Sequence, residues 1–145
     1  MKDIEILARG VILDGNYILL VRCSGAEYTF LPGGHVLWWE GLSAALLREL
    51  REELGITCEV GPYLGAVEHA WEDASGKHHE INHCFIVNCD GLAHSSDPES
   101  AEAKLEFNWV HRDDLEERNL MPPPMREMVR GLMRGERRTW WGSTL

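Results

Sequence analysis

Short runs rich in Ile, Leu and Val alternate with polar turns through the first part of the chain. The first two, Ile4 to Leu13 and Tyr17 to Cys23, flank Asp14-Gly15-Asn16. Asp-Gly between such runs is a strong hairpin signal, because glycine tolerates the positive φ of a tight turn. Another short strand is predicted from Tyr28 to Leu31, and the Pro32-Gly33-Gly34 that follows predicts a loop.

A helical pattern replaces the strand pattern between Leu42 and Leu54. At 100° per residue its leucines at 46, 47, 50 and 54 fall within an arc of about 100°, which forms one apolar face. Gly55 stands where a C-terminal cap is expected. The pattern therefore predicts a helix that packs this face against a sheet.

The remainder of the chain predicts more strands and a second helix. The strands are expected at Thr57 to Val60, Tyr63 to Trp71, His79 to Cys89 and Phe107 to His111. Three prolines then precede Met125 to Arg134, whose apolar residues have helical spacing. Ser95 to Ala103 reads as an acidic loop, and no repeat or long linker interrupts the chain. We expect one α/β domain over residues 1–145 with a mixed sheet.

Composition and charge narrow the possible partners. The 145 residues carry a formal net charge of −10, which repels the phosphate backbone of nucleic acid, so no stable nucleic-acid binding is expected. No apolar run approaches the ~20 residues of a bilayer span, and Met1 to Glu5 do not resemble a secretory signal. These features favour a cytoplasmic protein without a membrane segment.

The four cysteines, Cys23, Cys58, Cys84 and Cys89, contain no C-x-x-C pair. Cytosolic cysteines rarely form disulfides, so all four are expected to be reduced structural thiols.

Three glutamates converge on one face of the first predicted helix. Glu49, Glu52 and Glu53 stand at i, i+3 and i+4, and like charges at this spacing cost a few tenths of a kcal/mol per pair. Arg48 lies four residues before Glu52, close enough to pair with it. A hard divalent cation would offset the repulsion, since Mg²⁺ binds carboxylate oxygens together with water and substrate phosphate. A solvated helix face is the plain alternative.

The residues around these glutamates form a longer motif. Gly34, Glu40 and the run Arg48-Glu49-Leu50-Arg51-Glu52-Glu53-Leu54-Gly55-Ile56 match every fixed position of G-x5-E-x7-R-E-U-x-E-E-x-G-U, where U is aliphatic. The motif resembles the Nudix box, and Leu31-Pro32-Gly33-Gly34 resembles the usual lead-in. The resemblance implies a Nudix-type α/β/α sandwich with a mixed β-sheet.

The resemblance also implies an activity, the hydrolysis of a pyrophosphate bond with Mg²⁺ or Mn²⁺. It makes Gly34, Glu49, Glu52 and Glu53 the metal ligands, with Glu49 or Glu52 as catalytic carboxylates oriented by Arg48. Gly34 would contribute its backbone carbonyl. Gly33 and Glu40 would support the loop against the helix.

One segment departs from the family pattern. His35-Val36-Leu37-Trp38-Trp39 stands where many members have an acidic residue and Pro-Gly. Trp38 and Trp39 could pack the start of the helix, or one of them could bind substrate by stacking on a base.

Other candidates lie outside the motif. Family members often take a further metal ligand or base from a loop outside the motif. Glu106 is our choice here, with a solvated carboxylate as the alternative; the other glutamates available are Glu68, Glu80, Glu99 and Glu102. Arg9 and Arg22 could reach substrate phosphates, and Arg22 is kept as a substrate-binding residue, although pairing with surface carboxylates is the alternative. The histidines between His69 and His83 have no spacing typical of a closed zinc site. The Trp140-Trp141 tail could fold back on the domain or be buried in a homodimer.

The preferred hypothesis is a Nudix hydrolase of a nucleoside diphosphate linked to another moiety, with ADP-ribose or a nucleotide sugar as examples. Its partner would be a small nucleotide substrate. A MutT-like nucleoside triphosphate pyrophosphohydrolase is the alternative within the class. A nucleotide-sensing module without catalysis is the alternative outside it, but such a module gains nothing from three converging glutamates.

Overall fold

A computed structural model describes residues 2–145 as two β-sheets and two α-helices. The strands are β1 (Glu5–Val11), β2 (Leu13–Asp14), β3 (Tyr17–Cys23), β4 (Gly33–His35), β5 (Glu59–Asp73), β6 (Gly76–Asn88), β7 (Leu105–His111) and β8 (Trp140–Ser143). The helices are α1 (Leu42–Leu54), α2 (Pro124–Met133) and a short 3₁₀ helix (Arg112–Asp114). Within the described residues, no helix combines the length and apolar composition needed to cross a bilayer.

The larger sheet is mixed, as expected. It has the order β4-β1-β6-β5-β8, in which β1 pairs with β6 and β5 pairs with β8 in parallel and the other neighbours are antiparallel. The smaller sheet, β2-β3-β7, is antiparallel throughout.

Apolar residues of the two helices cover opposite sides of these sheets. On β3, Leu19 and Val21 pack in a core with Leu46 and Leu50 of α1. The alternate residues Ile18 and Leu20 pack in a second core with apolar residues of α2. This alternation follows from the two-residue repeat of a strand, and the α/β/α sandwich is confirmed.

Both predicted helices are confirmed within one residue at each end. Helix α1 ends at Gly55, which has φ 67° and donates its backbone N–H to the carbonyl of Arg51. Left-handed φ is tolerated by glycine at this position because no Cβ is present.

The hairpin at Gly15 is confirmed, but the strand before it is divided. Leu13 pairs with Ile18 in the small sheet, whereas β1 ends at Val11 and lies between β4 and β6 of the large sheet. One apolar run therefore serves both sheets.

The prediction of a loop at Pro32-Gly33-Gly34 was wrong at the glycines. Gly33 and Gly34 belong to β4, and Gly33 pairs with Arg9 of β1. A Cβ on Gly33, which has φ 130°, would lie 2.0 Å from the Ala8 carbonyl oxygen. Glycine allows this close strand approach. The strand predicted at Tyr28 to Leu31 is reduced to isolated bridges at Thr29 and Phe30.

The break predicted near Gly61-Pro62 is also absent, because β5 continues through it. Register shifts on either side of Tyr63 accommodate these residues, as β-bulges commonly do.

The expectation of four reduced cysteines was wrong for one pair. Cys58 and Cys89 form a disulfide, with their Cα atoms 4.4 Å apart, whereas Cys23 and Cys84 are free. The cause is strand register: Glu59 pairs with Asn88, so the two cysteines flank the end of the β5–β6 ladder.

The C-terminal tail folds back on the domain. Strand β8 pairs with β5, where Gly65 lies opposite Trp140. The Thr144 hydroxyl lies 2.9 Å from His69 Nδ1, and Ser143 Oγ donates to Glu68.

Candidate active site

Arg48, in the middle of α1, links this helix to the loop before it. Its guanidinium donates to both carboxylate oxygens of Glu40 at 2.8 and 2.9 Å, to Glu49 at 2.9 Å, and to the backbone carbonyl of His35 at 3.0 Å. Glu52 lies 3.5 Å away. The contacts with Glu40 and Glu49 raise the pKa of Arg48, so the group is permanently charged. Arg48 thereby fixes both the loop and two of the three clustered glutamates.

Gly34 makes room for one of these glutamates. A Cβ at this position would lie 2.7 Å from the carboxylate carbon of Glu49. A larger residue would therefore push the Glu49 carboxylate out of this position.

Glu53 differs from the other glutamates because it is buried, with 6% of its surface exposed. Its Oε2 atom has no hydrogen-bond partner. Burial, and secondarily the negative charge of Glu49, raises the pKa of the Glu53 carboxyl above its ordinary value, while Arg9 opposes the shift. A buried carboxylate without a cationic contact is costly.

The acidic loop predicted between Ser95 and Ala103 approaches Glu53 from outside the motif. Ala101 donates its backbone N–H to the Glu53 carbonyl at 2.7 Å, and the charge of Glu102 contributes to the raised pKa of Glu53. Glu102, rather than Glu106, is therefore the loop carboxylate whose charge acts on the cluster.

The cluster fits a divalent cation. Glu53 supplies an unpartnered buried oxygen, Glu49 is next to it, and Glu52 remains partly exposed. Within residues 2–145 no three acidic, histidine or cysteine side chains are already arranged as a metal-binding group. Arg48 holds Glu49 and Glu52 on the outside, whereas Glu53 points inward. All donors are hard oxygens, which suit Mg²⁺ or Mn²⁺.

A cavity of about 490 Å³ opens beside this cluster. His35 of the predicted motif and Arg9 of β1 form part of its wall. Arg9 is close enough to Glu53 and Glu49 for their charges to oppose the lowering of its pKa by burial. The remaining walls are largely aromatic and aliphatic. They comprise Leu7, Cys23, Tyr28, Phe30, Leu31, His69, Trp71, Glu72, Asp73, Glu80, Asn82, Asn119, Met121, Pro122 and Met125.

Polar side chains on neighbouring strands form a network in the cavity wall. Arg9 donates Nε–H to Asn82 at 3.1 Å and Nη1–H to the Leu31 carbonyl at 3.1 Å. Glu80 accepts from Trp71 Nε1 at 2.9 Å and from Asn82 Nδ2 at 3.3 Å. These residues are adjacent because Arg9, Glu80 and Asn82 lie on the paired strands β1 and β6.

Arg9 has no carboxylate ion pair among residues 2–145, although it is partly buried. Burial lowers its pKa, and the charges of Glu80, Glu53 and Glu49 oppose that shift. A guanidinium of this kind, between an apolar cavity and a carboxylate cluster, is available to a phosphate.

The structure brings together only some of the residues singled out in the sequence. Gly34, Glu40, Arg48 and the three glutamates form one cluster, and Gly33 precedes Gly34 on β4, where it pairs with Arg9. The other candidates lie outside the cavity. Arg22 forms a partly exposed ion pair with Glu106, and Trp38 and Trp39 are exposed.

Sequence reasoning named Glu80 only as one of several available glutamates, and it did not single out Asn82 and Trp71. The available signal was weak: polar side chains at alternate positions in an otherwise apolar strand, Glu80 and Asn82 on β6. Only the parallel pairing with β1 brings them to Arg9.

Comparison with known proteins identifies the family. The NUDIX domain model matches residues 6–132. CTP pyrophosphohydrolase of Escherichia coli (strain K12) is 35% identical over 104 residues, covering 61% of this chain and 77% of that protein. Isopentenyl-diphosphate Delta-isomerase of Cereibacter sphaeroides (strain ATCC 17025 / ATH 2.4.3) is 31% identical over 113 residues, which cover 72% of this chain and 62% of that protein.

One further similarity is to a curated protein, and another concerns the fold alone. ADP-ribose pyrophosphatase of Methanocaldococcus jannaschii is 30% identical over 99 residues, which cover 66% of this chain and 57% of that protein. The fold resembles the MutT protein of Bacillus halodurans, with a TM-score of 0.73 at 17% identity over 97% of this chain and 88% of that one. Divalent-metal dependence is general among Nudix hydrolases. Of the three curated relatives, one is named as a pyrophosphohydrolase, one as a pyrophosphatase and one as an isomerase. The chain belongs to the Nudix family.

Proposed function

We propose that this protein hydrolyses the pyrophosphate bond of a nucleoside diphosphate linked to another group, using Mg²⁺ or Mn²⁺. The observation that carries the proposal is the position of the 490 Å³ cavity, which opens beside the carboxylate cluster at Arg9 and His35. An organic group in the cavity would have its phosphates next to Arg9, Glu49 and Glu53.

The carboxylate cluster supplies the hydrolytic half of the site. Glu49, Glu52, Glu53 and the Gly34 carbonyl would hold the metal. When bound, the metal neutralises charge on the phosphoryl oxygens and lowers the pKa of the attacking water. Either Glu49 or Glu52 accepts the proton of that water, and Arg48 orients both carboxylates.

The cavity supplies the binding half. Phe30, Tyr28 and Trp71 provide ring faces for a planar base, and Glu80 and Asn82 provide polar edges. Arg9 donates to Asn82 and Leu31 and presents its positive charge between the base and the carboxylates, where a phosphate group would lie. Arg9 is therefore a stronger phosphate contact than Arg22, which is occupied by Glu106.

A substrate panel tests the proposal. CTP, ADP-ribose, a nucleotide sugar and isopentenyl diphosphate are each incubated with Mg²⁺, with Mn²⁺ and with chelator, and the products are followed by ³¹P NMR. We expect metal-dependent cleavage of at least one nucleotide between two phosphorus atoms, and none with chelator. Cleavage that survives chelator, or no nucleotide cleavage with either metal, would refute the proposal.

Similarity to a CTP pyrophosphohydrolase favours a second candidate, the hydrolysis of nucleoside triphosphates. The products distinguish the two, because a triphosphate substrate releases pyrophosphate whereas a nucleotide sugar or ADP-ribose releases two phosphomonoesters. The kcat/KM values across the panel decide between them.

A further inference from the structure

A buried histidine lines the cavity and has no part in the proposed hydrolysis. His69 on β5 has 9% of its surface exposed and forms part of the cavity wall. Its Nδ1 atom lies 2.9 Å from the Thr144 hydroxyl, whereas its Nε2 atom has no hydrogen-bond partner among residues 2–145. Polar atoms of buried side chains normally have a partner. Nε2 is therefore the atom of this ring that a ligand in the cavity would satisfy.

The charge of His69 follows from its surroundings. Burial lowers the pKa of the imidazole below its ordinary value of 6.5, and the negative charge of Glu80 opposes this shift. The ring is therefore neutral at pH 7, with a proton on one nitrogen and a lone pair on the other. The nitrogen that carries the proton decides whether the cavity contains a donor or an acceptor at this point.

Thr144, directly after β8, makes the contact that selects this nitrogen. Its hydroxyl oxygen accepts the backbone N–H of Ala70 at 3.1 Å, which leaves the hydroxyl hydrogen to be donated. Nδ1 of His69 is the acceptor within reach of that hydrogen. A hydroxyl that donates to Nδ1 requires the proton of the neutral ring to be on Nε2.

Electrostatics favour the same tautomer. His69 and Glu80 are directly opposite each other on the paired strands β5 and β6, so their side chains share a face of the sheet. The Glu80 charge acts on the ring. An Nε2–H group is attracted by a nearby carboxylate, whereas a lone pair on Nε2 would be repelled by it.

The contact between Thr144 and His69 is not needed to hold the segment in place. Strand β8 pairs with β5 over four residues, the Thr144 backbone N–H donates to the Glu68 carbonyl at 3.1 Å, and Ser143 Oγ donates to the Glu68 carboxylate at 2.7 Å. The hydroxyl of Thr144 therefore has a separate consequence, which is the orientation and tautomer of the ring.

Glu80 supplies an acceptor beside this donor. Its two carboxylate oxygens accept from Trp71 and from Asn82, and a carboxylate has about four acceptor sites. The cavity wall thus presents an N–H donor next to a carboxylate acceptor. This pair complements a planar edge that carries an acceptor beside an N–H donor, as nucleobases do. An aliphatic diphosphate has no such edge.

We propose that His69 donates a hydrogen bond from Nε2 to a ring nitrogen or carbonyl oxygen of a nucleobase in the cavity, and that Thr144 is the positioning residue that holds His69 in this tautomer. The inference rests on the proposed function, because the base would belong to the nucleotide substrate. It assigns part of base recognition to the segment after β8, which lies outside the motif.

The tautomer is measured directly by long-range ¹H–¹⁵N correlation spectra at pH 7.5, with the His69 ring signals assigned through its backbone resonances. The wild type should show a protonated Nε2 and an unprotonated Nδ1. The Nδ1 signal should shift in Thr144→Val, because the hydroxyl donor is lost, and should keep its wild-type position in Thr144→Ser. Thr139→Val is the matched control, since Thr139 is exposed on the same segment, and should leave the signal unchanged.

Affinity gives a second readout that needs no turnover. CMP, AMP, GMP and UMP are titrated by calorimetry in the presence of chelator, and the tightest of them should also move the His69 Nε2 signal. Its Kd should rise at least about threefold in Thr144→Val. Thr144→Ser should restore the wild-type Kd, and Thr139→Val should not change it. For a cleaved nucleotide, KM should rise by the same factor while kcat changes less.

Three results would overturn the inference. These are a protonated Nδ1 in the wild type, an Nε2 signal that none of the four monophosphates moves, and a Kd that is either unchanged in Thr144→Val or not restored in Thr144→Ser. If the monophosphate moves the Nε2 signal but no nucleotide is cleaved with either metal, the base contact stands and the proposed hydrolysis fails. Metal-dependent cleavage with an unmoved Nε2 signal has the reverse meaning.

Discussion

Two glutamates near Arg9 have opposite environments. Glu53 on α1 is buried with one oxygen unpartnered, and burial raises its pKa. Glu80 on β6 accepts hydrogen bonds on both oxygens, from Trp71 and from Asn82. In the proposed function, the first carboxylate would be completed by a cation, whereas the second is already satisfied and shapes a cavity wall. The contrast would separate a hydrolytic part of the site around Glu53 from a recognition part around Arg9 and Glu80.

The largest effect is expected from Glu53→Gln. The amide keeps the shape of the side chain but loses the charge that a metal requires, so metal-dependent kcat should fall by about 10²-fold or more. Thermal stability without metal should be retained or rise, because the buried charge is removed. Steady-state kinetics and thermal unfolding give both values.

Glu117→Gln is the matched control for Glu53→Gln, since Glu117 is exposed. Near-normal kcat in Glu53→Gln, or an equal loss in the control, would remove the distinction between the two kinds of carboxylate.

A smaller fall in kcat is expected from Arg48→Lys. Lysine keeps the positive charge but cannot hold Glu40, Glu49 and the His35 carbonyl at once. Residues that orient metal ligands typically contribute about 10- to 100-fold to affinity or activity, so kcat should fall within that range. The concentration of Mg²⁺ needed for half-maximal activity should rise. If only KM for the nucleotide changed, Arg48 would belong to the recognition part instead.

Substitutions in the recognition part are expected to change KM more than kcat. Arg9→Lys should raise KM by about tenfold, because a hydrogen bond from a charged group is worth about 1.5–3 kcal/mol, and kcat should change less. Arg22→Lys tests the alternative that Arg22 binds the substrate phosphates. Little change in KM is expected, because Arg22 is paired with Glu106 on the surface. A rise in KM for Arg22→Lys without one for Arg9→Lys would reverse the assignment made from the structure.

The smallest effect, on stability rather than on activity, is expected at the Glu116–Arg130 ion pair, which lies outside both parts of the site. Hydrogen bonding to Arg130 lowers the pKa of Glu116 to about 2, from an ordinary value of 4.5. Glu116→Gln should lower the free energy of unfolding at pH 7 by about 0.2–1 kcal/mol, since the pair is partly exposed.

The sign of this pH dependence follows from the lowered pKa. The Glu116 contribution is complete above pH 4.5 and is lost as the pH falls through about 2. Urea unfolding of both proteins between pH 7 and pH 2.5 should therefore show the difference shrinking. A difference that grows with acidification would contradict the assignment.

Local signals in the sequence were sufficient for the helices and the carboxylate face. The leucine spacing and Gly55 define α1, and the i, i+3, i+4 spacing places the glutamates on one side of it. These features depend on residues within a few positions of each other. The spacing therefore predicted that these glutamates cluster on α1, which is the part of their assignment that the structure shows.

The recognition half depends on contacts between distant residues. Arg9 and Asn82 are 73 positions apart and meet only because β1 and β6 pair in parallel. The pairing of Cys58 with Cys89 and the inclusion of Gly33 in β4 likewise depend on strand register. No periodicity within a single segment indicates which strands will be neighbours, so these features were missed.

The most direct test of the account is the binding of Mn²⁺, measured by electron paramagnetic resonance without substrate, in the wild type, Glu53→Gln and Glu117→Gln. The wild type and Glu117→Gln should bind Mn²⁺ with the same affinity. In Glu53→Gln that affinity should be at least about tenfold weaker. Equal affinity in all three proteins would contradict the claim that the buried carboxylate of α1 is completed by a divalent cation.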